Sequence, residues 1–207
     1  MSFLNIVSHP MAQTALSRLR SIGTRPPDFR RHLREASAVI FIEATRRLET
    51  RDVEVTTPLA RTSGVSLPRP IVLAPVLRAA LGMLDGIWHI APEAQIAHLG
   101  IYRDEVTLRP QPYYSKFPDS LEEADVFALD PMLATGQSAI EAVNQLKAHG
   151  ARRLTFLSLI GSPAGLEAFH SAHPEVPVFI AAVDRGLNEQ SYIVPGLGDA
   201  GDRYFGT

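Results

Sequence analysis

Between residues 71 and 183 the chain repeats one grammar: a short apolar run, a stretch of helical period, then another apolar run. Apolar runs at 71–75, 95–102, 126–130, 154–160 and 178–183 read as strands, and 81–90, 138–148 and 166–172 read as helices, the middle one ended by Gly150. Strands without polar alternation must be covered on both faces, and helices between them supply the crossovers that parallel strands need. The expected fold class is therefore α/β, an open, mainly parallel twisted sheet with helices on both faces.

The flanking segments are different. Phe29, Leu33, Ala36, Ile40, Ala44 and Leu48 recur at helical spacing, so 28–49 reads as a long helix with Asp28 at its N-cap. Residues 52–58 alternate and read as a strand, and 61–70, rich in Ser, Gly and Pro, as a loop. Residues 103–118 hold Pro110, Pro112 and Pro118 and suggest an extended hairpin arm. Residues 186–207 form a long Gly-rich tail, and long irregular segments in a compact domain are usually functional.

Composition narrows the functional classes. A length of 207 residues suits one domain, here 1–207, with elaborations. Lys plus Arg number 20 and Asp plus Glu 22, a net charge of −2, so no broad basic field is available for gripping nucleic acid. There is no cysteine, hence no disulfide framework, thiolate metal site or thiol nucleophile. The first ten residues lack the basic start of a secretory signal, and the apolar runs are too short for a bilayer span. A cytoplasmic protein with no membrane partner is the expectation.

The strongest local signal lies at 126–140. An apolar strand ends in Asp130, a loop with Thr135 and Gly136 follows, and a helix starts near Ser138. Unpaired N–H groups at a helix start bind phosphate, hydroxyls add donors, and glycine admits close approach. A carboxylate at the carboxyl end of a strand points into the crevice where open α/β sheets bind ligands, and it suits sugar hydroxyls. The competing reading is a core strand followed by a helix that Ser138 caps.

The run Leu129-Asp130-Pro131-Met132-Leu133-Ala134-Thr135-Gly136-Gln137-Ser138 resembles the phosphoribosyl-pyrophosphate loop of type I phosphoribosyltransferases, and in wording the uracil phosphoribosyltransferase family. Residues 77–86, 100–108 and 192–203 are similar to that family's pyrophosphate-side loop, arm and tail, in the same order. Gln137 stands where a second glycine is usual, Ala80 replaces another glycine, and Gly161-Ser162-Pro163-Ala164-Gly165 departs from the usual turn.

The resemblance implies the type I phosphoribosyltransferase fold with a small hood from the chain ends, 1–60 and 186–207. It implies a pyrimidine-salvage reaction in which uracil and 5-phospho-α-D-ribose 1-diphosphate give UMP and diphosphate. Arg78, Arg103 and Asp130 would meet transition-state charge. Arg78, Arg103, Asp130, Pro131, Met132, Leu133, Ala134, Thr135, Gly136, Gln137, Ser138 and Asp199 would hold the phosphoribosyl donor. Ile193, Gly198, Asp199 and Ala200 would bind uracil. Mg²⁺ would arrive with the donor's diphosphate rather than on a protein site. A homodimer or higher homo-oligomer is implied, and a GTP effector is left open.

The residues agree with these roles. Arginine presents a fixed fork of donors matched to phosphate oxygens. Arg78 interrupts an apolar junction, where an unpaired charge is costly, so a ligand or an ion pair with Asp85 is expected. No general base stands out. His170 and His173, at a helix end before Pro174, read as surface residues. Gly196-x-Gly198-x-x-Gly201 fits the dinucleotide fingerprint, but only six residues follow it. Two other readings compete: an RNA-binding pyrimidine regulator on the same fold, and a catalytically weak family member.

Overall fold

The computed structural model describes residues 3–103 and 110–207, with only the backbone of Arg103. In chain order the elements are β1 (Leu4–Ile6), α1 (Pro10–Arg20), α2 (Pro26–Thr45), β2 (Arg51–Thr56), β3 (Arg61–Ser66), β4 (Ile71–Leu77), α3 (Leu81–Trp88), β5 (Gln95–Ile96), β6 (His98–Arg103) and β7 (Pro110–Lys116). There follow β8 (Asp125–Leu129), β9 (Met132–Leu133), α4 (Gln137–Ala148), β10 (Arg153–Gly161), α5 (Pro163–Ala172), β11 (Val178–Val183), β12 (Gly186–Leu187), β13 (Ile193–Val194) and α6 (Ala200–Phe205).

The main sheet runs β1-β11-β10-β8-β4-β6-β7, with β5 beside β4 and β9 beside β10. Its described pairings are parallel except β6 with β7. Period-two alternation divides the strands between two apolar layers. Phe127 and Leu129 of β8 face the layer built with Leu16, Leu33, Ile40 and Met83 of α1–α3. Val126 and Ala128 face the layer built with Val143 and Leu146 of α4 and Phe169 of α5. Coverage of both faces explains why these strands carry no polar alternation.

Several sequence expectations need correction. Helix α2 starts at Pro26 with Arg25 at the N-cap, so Asp28 lies in the first turn, where it pairs with Arg31 at 2.9 Å. Proline at the first helical positions needs no N–H partner there, which moves the start upstream. The helix ends at Thr45, whose hydroxyl donates back to the Phe41 carbonyl, although Leu48 still packs on the core. Residues 61–66 are strand β3, paired antiparallel with β2, not loop. The expected strand at 95–102 is broken at Ala97, whose N–H goes to the Leu73 carbonyl at 2.9 Å.

The expected arm at 103–118 is described at its base, where β7 pairs with β6; residues 104–109 lie outside the described residues. His173 is buried rather than on the surface. It contacts Lys147 Nζ at 2.8 Å and the Ile140 carbonyl at 3.3 Å, and burial lowers its pKa.

Candidate active site

Asp130 follows directly on β8, at the carboxyl end of a central strand. Its Oδ1 accepts the Met132 N–H at 3.2 Å, and its own N–H goes to the Leu157 carbonyl at 3.2 Å. Burial pushes the carboxyl up to about 7, and the Met132 bond pulls partly against that. A group so placed changes charge within the working pH range.

The loop after Asp130 is fixed from beneath. The Pro131 carbonyl accepts the Leu159 and Ile160 N–H groups, both at 3.2 Å. Ser162 donates its N–H to the Leu133 carbonyl at 3.0 Å and its hydroxyl to the Ala134 carbonyl at 2.6 Å. Pro131 and Leu133 are buried, so their side chains support the loop and do not face a ligand.

Helix α4 begins at Gln137, with Gly136 as its N-cap at φ 81° and no side-chain cap bond. Ser138 therefore does not cap this helix, and the donors of the first turn remain for a ligand. Positive φ falls on Gly136, where a Cβ would also meet the Gly165 carbonyl oxygen at 2.7 Å. Gln137 is exposed and is not among the positive-φ residues. Ala80 likewise sits at an ordinary φ of −73°, so neither departure from glycine strains the backbone.

Two consequences can be measured. Gln137→Gly should change KM for the phosphoribosyl donor less than about fivefold, because only a solvent-facing side chain is lost. Where Thr135 bonds the donor's phosphate, as the resemblance implies, Thr135→Ala should raise it more, because a hydrogen bond to a charged group is worth about 1.5–3 kcal/mol. Steady-state kinetics on both variants checks this; the reverse order would mean that the side chain at 137 shapes the cradle.

Across the loop lies the tail. A cavity of about 210 Å³ is lined by Ala79, Asp130, Met132, Ala134, Ser191, Tyr192, Ile193, Asp199, Ala200 and Gly201. It thus joins expected donor-site residues (Asp130, Met132, Ala134, Asp199) to expected base-site residues (Ile193, Ala200). Pro131, Leu133, Thr135–Ser138, Gly198 and Arg78 do not line it. Ala79, Ser191, Tyr192 and Gly201 do; none was singled out as a binding residue, although Ala79 falls within the 77–86 segment and Tyr192 and Gly201 within the 192–203 segment of the resemblance, and Ser191 directly precedes the latter. A larger cleft of about 520 Å³ lies between β1 and the end of α2 and holds none of these residues, so chemistry rather than volume selects the site.

In the tail, Ile193 and Ala200 are almost fully buried, leaving backbone groups as their polar offering. Asp199 caps α6 by accepting the Asp202 N–H at 2.9 Å. Gly198 adopts φ 78°.

Arg78 departs from expectation. It is exposed rather than trapped in an apolar junction, so the desolvation argument for a ligand does not apply. The expected partner Asp85 is instead paired with Arg34 at 3.2 Å. The Arg78 guanidinium lies 5.6 Å from the centre of the Phe205 ring, and among the described residues no acid pairs with it. The peptide bond before Arg78 is cis. Arg103 ends β6, and its side chain lies outside the described residues.

Comparison with known proteins gives a consistent result. The family model described as uracil phosphoribosyltransferase matches residues 6–207. A curated uracil phosphoribosyltransferase of Wolinella succinogenes is 46% identical over 202 residues, 97% of each chain. The solved structure of the AQ2163 protein from Aquifex aeolicus superposes with a TM-score of 0.94 at 34% identity, covering 98% of this chain and 97% of that one. An orotate phosphoribosyltransferase of Mycobacterium tuberculosis, solved in complex with 5-phospho-α-D-ribosyl 1-diphosphate, gives a TM-score of 0.51 at 16% identity, covering 86% of this chain and 95% of that one, a likeness of fold alone.

Proposed function

The chain belongs to the uracil phosphoribosyltransferase family, which makes it a pentosyltransferase of pyrimidine salvage, and from that premise we propose how its residues divide the reaction. The bond from ribose C1′ to diphosphate breaks, and a bond from C1′ to uracil N1 forms. Negative charge grows on the departing diphosphate while the sugar becomes cationic. Arg78 meets the first charge with a guanidinium that no described acid occupies. Asp130 accepts from the ribose hydroxyls and faces the cationic sugar. The uncapped start of α4, with Thr135, Gly136 and Ser138, cradles the 5′-phosphate. Ile193, Gly198 and Ala200 read the base through backbone groups. The observation that carries this reading is the single cavity uniting Asp130 with Ile193, Asp199 and Ala200.

Mg²⁺ fits the donor set as an ion held chiefly by substrate phosphates. Asp130 is assigned to the ribose, so no described side chain is asked to ligate the ion, and Mg²⁺ commonly keeps waters and binds through substrate phosphates. When bound it neutralises charge on the departing diphosphate. The test is turnover of labelled uracil with the phosphoribosyl donor and Mg²⁺; absence of UMP formation would overturn the assignment. A cytoplasmic setting suits these soluble substrates, and no described helix is long and apolar enough to cross a membrane.

Association with a second copy is supported by the β2–β3 hairpin. It forms a separate two-stranded sheet and exposes Val55, Leu59 and Val65. An isolated hairpin is marginal in water, so an apolar partner surface is expected to complete it. Light scattering of wild type should give at least twice the 22.6 kDa chain mass. Replacing Leu59 and Val65 by Glu should shift the mass towards one chain, and a monomeric wild type would refute the assembly.

A further inference from the structure

The turn that carries the base readers is gripped from outside the cavity. Arg20, the last residue of α1, donates from Nη1 to Asp184 Oδ2 at 2.7 Å and from Nη2 to Oδ1 at 2.6 Å. The same Nη1 donates to the Gly196 carbonyl at 2.8 Å. Asp184 Oδ2 accepts the Gly196 N–H at 2.9 Å. The Asp184 side chain is 6% exposed and that of Arg20 25%. Both polar groups of Gly196 are thus engaged by one ion pair.

Gly196 stands between Ile193 and Gly198. Its φ is +63°, and a Cβ there would lie 2.0 Å from the Ile193 carbonyl oxygen. The turn is therefore too tight for any other residue, and its orientation depends on what holds the Gly196 backbone. Neither Arg20 nor Asp184 lines the cavity, so each acts through Gly196.

We propose that Arg20 and Asp184 are positioning residues for base recognition, fixing the Gly196 turn so that Ile193 and Gly198 to Ala200 present their backbone groups to uracil at one set of positions. This rests on the reading of the tail as the base site. A buried ion pair contributes little net stability compared with a well-packed apolar pair, whereas a bidentate fork fixes direction. The geometry here uses that fork on the turn as well as on the carboxylate. Backbone readers cannot adjust by changing rotamer, so a small swing of the turn degrades every base contact together.

The test uses the full chain and compares wild type, Asp184→Asn, Arg20→Lys and the double variant Arg20→Met/Asp184→Leu. The readouts are kcat, KM for each substrate, uracil-over-cytosine discrimination and Tm. Asp184→Asn should raise KM for uracil about tenfold and cut discrimination by a similar factor, with KM for the phosphoribosyl donor changed less than about twofold. Arg20→Lys should fall between wild type and Asp184→Asn, since it keeps the charge and loses the fork. The double variant leaves no unpaired buried charge but frees the Gly196 N–H and carbonyl, so it should fold with a moderately lowered Tm and still show the uracil defect. A folded double variant with wild-type uracil KM and discrimination would show that the pair only holds the fold. Equal rises in both KM values would also overturn the proposal. If wild type itself turns over cytosine as readily as uracil, the base-site reading fails, and this inference with it.

Discussion

Asp130→Asn should cost at least about tenfold in kcat/KM for the phosphoribosyl donor while making the protein more stable at pH 8. The activity loss follows from chemistry: an acceptor-only carboxylate becomes a mixed donor and acceptor, and a hydrogen bond to a charged group is worth about 1.5–3 kcal/mol. The stability gain follows from burial, which pushes this carboxyl from an ordinary 3.8 up to about 7. Between about pH 4 and 7 the folded chain keeps a proton that the unfolded chain has lost. Stability from this group therefore falls as pH rises through that window, and the cost is complete above it. Each pKa unit is 1.36 kcal/mol, so the ceiling is about 4 kcal/mol. Asp130 is only partly buried by its surface exposure, and solvent reduces this to something on the order of 2 kcal/mol. For a chain of 207 residues that corresponds to a rise in Tm of roughly 4–8 °C at pH 8, shrinking towards none near pH 4.

The same titration predicts that wild-type KM for the donor falls between pH 6 and 8 as Asp130 ionises, and that the Asn variant is flat there. Activity within twofold of wild type, with no stabilisation at pH 8, would remove Asp130 from the site. Loss of activity together with gain of stability is the expected mark of a carboxylate held in place for substrate rather than for the fold.

What could be read beforehand followed from local physics. The doubly covered strands were visible as apolar runs, and the loop after Asp130 as a strand–hydroxyl–glycine–helix sequence. Helix α1 was not read, although His9 caps it through its ring and Pro10 occupies its first turn. Strand β3 was not legible, because Arg61-Thr62-Ser63-Gly64-Val65-Ser66 carries a single large apolar side chain, the exposed Val65, and so shows no alternation. Arg78 looked buried from its neighbours in sequence, but it sits at a turn where the chain leaves the sheet. The Arg20–Asp184–Gly196 grip joins residues more than 160 positions apart, and no local pattern announces such a contact.

The largest discrimination expected of this protein is between bases. Uracil offers a donor at N3 and an acceptor at O4; cytosine reverses both. Ile193 is 4% exposed and Ala200 2%, so backbone groups there have little access to compensating water. Cytosine would leave a mismatched group on each side, and each unmet buried group costs about 1–3 kcal/mol. Two such mismatches reach a factor of roughly 10³ or more in kcat/KM, in line with polar sites that reject an analogue of wrong hydrogen-bonding pattern. Orotate fails differently: its carboxylate would enter a tail whose Ile193, Leu197 and Ala200 are buried apolar residues, where an unpaired charge costs more than a mismatched hydrogen bond. Competition assays with the three bases at fixed donor concentration measure both ratios. Turnover of cytosine within about tenfold of uracil would mean that contacts outside this tail select the base.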